Sequence, residues 1–358
     1  MKALKVILRT LLVIIIVFIA GFIGLLVYAK VTDFKPEEKE VISQPENISV
    51  LKDSLSISLL TWNIGYAGLD KDMDFFKDGG TKVITPKDIC MSNIDGIADF
   101  LIKNDTVDFI LLQEVDRDSK RSYHIDQYAK IATVLPSHKP FFAKNYDVFF
   151  VPAPPSEPMG KVVSGIATYS KYTPVSSIRY SLPGDFGFPT QLFYLDRCFM
   201  VNRYKVGNSK ELVLINTHNE AFDEGGIIRK AQMEKLKEFV MNEYNSGNYV
   251  IVGGDWNQYP PDFKPSFSAN KAFTGIVGNF NLTGIESDYM PEDWKWIYDP
   301  ATPSVRTLMA GYDPLTTPTS ICDIFIISPN IEFVCVKGIH LGFINSDHNP
   351  VIMKVKLR

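Results

Sequence analysis

The sequence predicts an α/β (α+β) fold of packed mixed β-sheets with outer helices, preceded by one N-terminal transmembrane helix. Three observations predict it. Short apolar runs of strand length dominate the chain, and several follow one another directly. Two longer stretches between them repeat their apolar residues at helical spacing. Ahead of all of these, Thr10 to Ala29 is an uncharged apolar run, long enough at ~1.5 Å per residue to cross a hydrocarbon core.

Lys2, Lys5 and Arg9 precede this run, and Asp33, Glu37, Glu38 and Glu40 follow it. The positive-inside rule then puts the N-terminus in the cytoplasm and everything downstream outside. No polar face interrupts the run, which argues against a buried core helix. Val27-Tyr28-Ala29 has the small-residue spacing of a signal-peptidase site, but the run exceeds the usual length of a signal-peptide core. The favoured reading is an uncleaved signal anchor in the cell membrane, single-pass with an extracytoplasmic C-terminal domain. Secretion after cleavage near Ala29 is the alternative. The chain divides accordingly into a signal anchor over 1–30, a polar linker over 31–54 with Pro36 and Pro45, and a folded domain over 55–358.

With 358 residues, 46% hydrophobic and 22% charged, the chain can bury one large core or two modest ones. Four of its 37 Lys and Arg and none of its 41 Asp and Glu lie in residues 1–30, leaving 33 against 41, a net charge of −8. A nonspecific grip on a nucleic-acid backbone needs clustered basic residues, so a processive nuclease is disfavoured. Cys90, Cys198, Cys322 and Cys335 each sit in an apolar, element-like stretch and read mostly as small buried residues rather than a disulfide framework. No CxxC or Cys/His zinc spacing appears.

The folded part begins near Leu55. Leu55, Ile57 and Leu59 alternate with serines before Leu60-Thr61-Trp62-Asn63, a half-buried strand entering the core. Thr85-Pro86-Lys87-Asp88 combines a capping-box spacing with proline at the first helical position, and Ile94, Ile97, Ala98 and Leu101 recur at helical spacing. A helix therefore links the first two strands. Val107 to Leu112 is a nearly continuous apolar run ending at Gln113-Glu114, as expected of a strand covered on both faces. Further strands are expected at 165–170, 197–205, 211–217, 248–253, 322–328, 331–336 and 350–357. A helix from about Ile227 to Tyr244 carries Ile228, Ala231, Phe239 and Val240 on one stripe. Long loops at Val151–Lys161, Ser181–Thr190, Tyr259–Phe273 and Asn281–Ser320 are rich in Pro and aromatic residues and are candidates for functional rims.

Polar strings close several of these strands. Glu114 ends an otherwise buried strand, where a carboxylate is costly unless a cation or partner offsets it; alone it would more often be a surface carboxylate. Gln113 reads equally as a solvated neighbour. Asn63 ends a strand in the same way, and its amide oxygen is a hard ligand, although an isolated Asn there is usually a turn former. In Gly253-Gly254-Asp255-Trp256-Asn257 the glycines let the backbone turn sharply and aim two polar side chains at one place. Asp255 suits orienting or deprotonating water and Asn257 suits holding phosphate, against the plain reading of a glycine turn with a solvated Asp. His218, beginning a loop, would by itself be structural. His348 follows Asp347, and Asp323 lies in another strand. An imidazole whose second nitrogen is held by a carboxylate makes an oriented acid/base group.

Thr61-Trp62-Asn63, Gln113-Glu114, Thr217-His218, Gly254-Asp255-Trp256-Asn257, Asp323 and Ser346-Asp347-His348 together resemble, in order, the motifs of the endonuclease/exonuclease/phosphatase family, the deoxyribonuclease I-like superfamily. The resemblance runs from about Leu55 to the C-terminus. It implies a four-layer sandwich, two facing mixed β-sheets flanked by helices, with 55–358 as its catalytic domain. It also implies a metal site for Mg²⁺ or Mn²⁺ at Glu114, with Asn63 near the metal and Asp347 a further ligand. By the same resemblance Asp255 and Asn257 handle water and phosphate, while His218 and His348, the latter held by Asp323, form the acid/base and phosphate-stabilising pair. Arg197 sits where some relatives keep a supporting arginine, and a surface charge is its equal alternative. Asn219-Glu220-Ala221 departs from the aliphatic residue common after the family's histidine.

The expected activity is metal-dependent hydrolysis of a phosphodiester or phosphomonoester by in-line attack of water. No GxSxG or Cys/His arrangement points to covalent acyl chemistry. The acidic domain, its membrane anchor and the loop aromatics Phe186, Phe188, Trp294 and Trp296 suit a lipid-like or small phosphodiester, with plain loop packing the commonest alternative for such aromatics. The alternatives are an anchored or secreted nuclease acting on DNA or RNA, whose aromatics stack on bases, and a catalytically silent binding module on the same fold.

Overall fold

The computed structural model describes residues 2–184, 186–223, 225–263 and 282–358. The strands of its two main sheets are β1 (Lys39–Ser43), β2 (Val50–Leu51), β3 (Ser56–Asn63), β4 (Phe109–Asp116), β5 (Lys139–Val151), β6 (Gly160–Ser170), β7 (Ser176–Ser181), β8 (Cys198–Val206), β9 (Glu211–His218), β10 (Tyr249–Asp255), β11 (Lys295–Ile297), β12 (Asp323–Ile327), β13 (Ile331–Gly338) and β14 (Val351–Leu357). Among the described residues four α-helices accompany them: α1 (Lys2–Thr32), α2 (Lys87–Lys103), α3 (Gln127–Val134) and α4 (Ile227–Asn245). One sheet has six strands in the order β13-β14-β3-β4-β6-β5. The other has eight, in the order β1-β7-β8-β9-β10-β12-β11 with β2 beside β8. Both are mixed: β3 and β4 run parallel, as do β9 and β10, among antiparallel neighbours.

The period of two along each strand sorts its side chains between two layers. Leu59, Phe109, Leu111, Leu212, Leu214, Ile251, Phe325 and Met353 meet between the sheets. Their neighbours face outward. Leu60, Trp62, Ile110 and Leu112 pack under Ile94, Ile97 and Leu101 of α2 and Ile131 of α3, and Val213, Ile215, Val250, Val252 and Ile324 pack under Met233, Leu236 and Val240 of α4. The four-layer arrangement follows. Each fully buried aliphatic side chain contributes roughly 1.5–3 kcal/mol, so central strands such as β4 need no polar face.

Several expectations change in detail. The 31–54 stretch expected as a linker contains β1, paired with β7, and β2, paired with β8. Strands β5 and β7 also form without having been expected. In β5 the register breaks twice, between Lys144 and Tyr146 and between Val148 and Val151, which erases the period of two that would have announced it. The capping box before α2 does not form: Pro86 is the cap residue without a side-chain bond, and the Thr85 hydroxyl donates to Asp70 Oδ2 at 3.1 Å. On α4 the buried stripe is Gln232, Met233, Leu236 and Val240, one step round the helix from the expected Ile228, Ala231 and Phe239. Cys90, Cys198 and Cys322 are buried and Cys335 is exposed, all of them free. The loop expected at Tyr259–Phe273 lies outside the described residues beyond Phe263, as does the first residue of the Asn281–Ser320 loop.

Candidate active site

The sheets bring the polar strings to one rim. Parallel strands β3 and β4 end together, with Asn63 opposite Gln113. In the facing sheet Asp255 at the end of β10 is in register with His218 at the end of β9 and with Asp323 at the start of antiparallel β12. Two backbone devices aim the side chains. Glu114 has φ +53° in a bulge of β4 against β6, between Leu112 and Val115. This turns Glu114 out to the rim while Gln113 points inward, where its Nε2 donates to Asn216 Oδ1 across the two sheets at 2.7 Å. Gly254 has φ +151°, and a Cβ there would sit 2.0 Å from the Thr217 carbonyl oxygen. Only glycine lets β10 approach β9 this closely.

Asp255 is the centre of the cluster. Its Oδ2 accepts from Asn63 Nδ2 at 2.9 Å and lies 3.5 Å from His218 Nε2 and 3.8 Å from His348 Nε2, while its Oδ1 accepts from the Asn257 amide at 2.9 Å. Asn63 Nδ2 also donates to Glu114 Oε1 at 3.1 Å, and Glu114 stands 3.9 Å from His218 Nε2. His348 Nδ1 bonds Asp323 Oδ2 at 2.8 Å, and its Nε2 lies 3.9 Å from Asp347 Oδ2. Asn257, with φ +51°, donates from Nδ2 to the Asn219 carbonyl at 2.9 Å. The sequence-derived set of Asn63, Glu114, His218, Asp255, Asn257, Asp323, Asp347 and His348 is thus brought into one place.

Burial and charge separate the two histidines. Burial, reinforced by Arg197, brings His218 down to about 4, against the pull of Asp255 and Glu114, so it is neutral at neutral pH. Burial also disfavours the charged form of His348, but Asp323, Asp347 and Asp255 outweigh it and lift this imidazole well above its usual range. Burial works to raise Asp255, yet His348, His218 and the Asn63 amide hold it below the ordinary carboxylate value. Asp347 is pushed up to about 7 by burial, with Glu114 and Asp78 adding to the rise and His348 and Arg306 opposing it. Carboxylates left short of positive charge in this way suit a cation.

Two donor sets are candidates for that cation. Glu114 and Asp347 offer carboxylate oxygens, the hard donors that suit Mg²⁺ or Mn²⁺, whereas Asn63 presents Nδ2 to Glu114 and Asp255 and its Oδ1 accepts from the Gly65 amide at 2.9 Å. Asp255, Cys322, Asp323 and His348 also lie within 4.8 Å of one another. Burial together with Asp255 and Asp323 raises the Cys322 thiol well above its usual range, which keeps it protonated, and His348 Nδ1 is already committed to Asp323. The second set therefore reads as a proton-holding network, and the oxygen set is the one that fits.

Glu114, His218, Asp255, Asn257, Asp347 and His348 line one pocket, together with residues the sequence reading did not single out: Tyr66, Lys77, Asp78, Arg121 and Arg306. Arg121 is tied to Asp116 at 2.9 Å and stacks 3.7 Å over the Tyr66 ring. Arg197 is buried in the pocket wall, bonded through Nε to Glu220 Oε2 at 3.2 Å, with its Nη1 buried and without a protein partner. The departure at Asn219-Glu220 is thereby explained, since Glu220 anchors that arginine. Sequence marks Arg197 only through the family resemblance and Glu220 only as a departure from it; their pairing joins the residue before β8 to the loop after β9. Trp294 and Trp296 lie elsewhere, packed around Trp256, Tyr244 and Tyr289 on the α4 side. Trp294 is buried and Trp296 half-buried there, and neither lines this pocket.

A family model described as the Endonuclease/Exonuclease/phosphatase family matches residues 60–313. The chain belongs to that family. Asp323, Asp347 and His348 lie beyond the matched span, so their place in the site rests on the geometry above. Endonuclease/exonuclease/phosphatase proteins are metal-dependent phosphoesterases and nucleases. The fold is similar to the endonuclease/exonuclease/phosphatase of Beutenbergia cavernae, with a TM-score of 0.57 at 18% identity, covering 84% of this chain and 72% of that one. It is similar also to the Bacteroides vulgatus family protein (TM-score 0.52, 16% identity, 85% of this chain and 100% of that one). A third likeness is to ANGEL2, a 2′,3′-cyclic phosphatase (TM-score 0.54, 14% identity, 90% and 99%). No curated protein matches the sequence.

Proposed function

We propose that this protein is a membrane-anchored, extracytoplasmic phosphoester hydrolase that uses a divalent metal and direct attack of water at phosphorus. The observation that carries the chemistry is the convergence on Asp255, where an amide, a neutral imidazole and a charged imidazole lie within 4 Å of one carboxylate oxygen. Glu114 and Asp347 would hold Mg²⁺ or Mn²⁺, with Asn63 beside the metal and orienting Glu114 through Nδ2. A metal held there would supply charge neutralisation at the phosphoryl oxygens.

This chain's own groups divide the remaining work. Asp255, kept as a carboxylate, accepts a proton from the attacking water and orients it through Oδ2. Asn257 and neutral His218 hold the phosphoryl group from the side of β9 and β10. His348, charged and fixed through Nδ1 by Asp323, stabilises the developing negative charge and is placed to give a proton from Nε2. No covalent intermediate is needed. Anchoring is supported by α1, whose most apolar window has a mean hydropathy of 3.1 and is not buried by the rest of the chain. The net charge of −8 outside residues 1–30 supports a lipid-like or small phosphoester over a nucleic acid, while Trp294 and Trp296, away from the pocket, support neither reading.

The test is turnover by the full chain in detergent with Mg²⁺, Mn²⁺ or EDTA, against DNA, RNA, sphingomyelin, inositol phosphates and a chromogenic diester. Metal-dependent cleavage of a lipid or small ester supports the proposal. Cleavage of nucleic acid alone would replace it with the nuclease reading, and absence of any turnover would favour a binding role.

A further inference from the structure

The apolar run of α1 ends in contact with the folded domain. Ala29 is buried, Leu25 and Leu26 are half-buried, and the Tyr28 ring meets Phe149 of β5 edge-on at 4.6 Å. The last turns of the helix lie against β5 and the short turn Thr190–Phe193. A span starting near Thr10 needs roughly 20 residues to cross the hydrocarbon core, which reaches these contacts. Beyond the helix only residues 33–38 precede β1, already paired with β7 from Lys39. Phe34 and Pro36 line a cleft whose other wall includes Phe186, Leu195 and Arg197. No free tether separates the bilayer from the domain.

The same wall leads to the active site. Arg197 and Leu195 line both this cleft and the catalytic pocket. Beside them stand exposed apolar tips: Phe188 is 62% exposed and Ile227 77%, with Phe222, under the Lys77 ammonium, 41% exposed at the pocket. Ile227 adjoins the loop of Phe188, because its neighbour Ile228 packs so close to Gly184 that a Cβ on that glycine would meet it at 2.5 Å. Aromatic and aliphatic tips beside a membrane helix are the composition of an interfacial contact.

We propose that this face, carrying Phe188 and Ile227 beside the end of α1, docks on the lipid bilayer and turns the mouth of the catalytic pocket toward the head-group layer. The proposal rests on the anchored reading of α1. In that orientation the site meets phosphoesters presented at the membrane surface, and a soluble polymer has to enter between the domain and the head groups.

The test places a tryptophan at Phe188 in the full chain, reconstituted in phosphatidylcholine vesicles with or without acyl-chain bromination, with wild-type emission subtracted. Val334→Trp is the control, since Val334 is 48% exposed on β13, the sheet edge opposite β5. Bromination should reduce the added Phe188→Trp emission about twofold, as for a tip seated roughly 5–10 Å into the boundary, and leave Val334→Trp unchanged. Vesicle flotation after a carbonate wash separates the two ideas. Protein that floats without quenching at Phe188→Trp overturns the docking and leaves the anchor standing, and protein that does not float overturns both.

Discussion

Asp323 Oδ2 lies 2.8 Å from His348 Nδ1, and both side chains are buried. The pair fixes the imidazole so that Nε2 faces Asp255 and Asp347. Replacing the carboxylate removes the main support of the charged ring. Asp323→Asn should lower kcat by about 10–100-fold, the usual effect of losing a group that orients another. It should also lower the His348 pKa, followed by the NMR titration of its ring protons, a change that loss of packing alone would not produce.

Asp255 is expected to matter more. Asp255→Asn keeps the size of the side chain and the amide bond from Asn257 but removes the proton acceptor. Steady-state kinetics should show a loss of about 10²–10⁴-fold in kcat with an unchanged circular dichroism spectrum.

Gly254→Ala tests the backbone that aims Asp255. Its Cβ would sit 2.0 Å from the Thr217 carbonyl oxygen, which separates β10 from β9 and displaces both Asp255 and His218. Urea unfolding should report a loss of about 3 kcal/mol or more, with activity falling further than the folded fraction.

Gln113→Leu should affect stability through a different route. The amide donates to Asn216 Oδ1 between the sheets, and leucine leaves that oxygen buried without a donor. A destabilisation of about 1–3 kcal/mol is expected, measured as a lower urea midpoint with unchanged slope.

The central strands around the site were readable because they are apolar on both faces and end abruptly in polar residues, as at Leu112-Gln113-Glu114 and Val252 to Asp255. The polar residues that close those strands were readable for the same reason, while the roles assigned to them came from the family resemblance. Edge elements were not: β1 and β2 are short and polar, and β5 is broken by bulges. Gln113 could not be told from a solvated residue, since only the bulge at Glu114 decides which of the two side chains faces inward. Lys77, Asp78 and Arg121 join the pocket through tertiary contacts that no local pattern announces, and Arg197 is marked in the sequence only by the family resemblance. Trp294 and Trp296, read as loop aromatics available to substrate, are held by Trp256 and α4 instead.

A pH effect on stability should come from His138, outside the site. Its Nε2 is hydrogen-bonded to the Val107 carbonyl at 2.8 Å, and burial holds its pKa below 6.5. The unfolded chain therefore binds the proton first. This group leaves stability unchanged above its unfolded value, lowers it as pH falls through about 6.5, and has no further effect below the folded pKa. The urea midpoint of the wild type should fall more than that of His138→Asn between about pH 7.5 and about pH 5.

The most direct test of the cluster as a phosphoesterase centre is turnover of a chromogenic phosphodiester by the full chain, stripped with EDTA and then given Mn²⁺, beside Glu114→Gln and His348→Ala treated identically. Activity that vanishes with EDTA, returns with Mn²⁺ in the wild type and stays absent in both variants would establish the site. Equal activity in the wild type and the variants would contradict it.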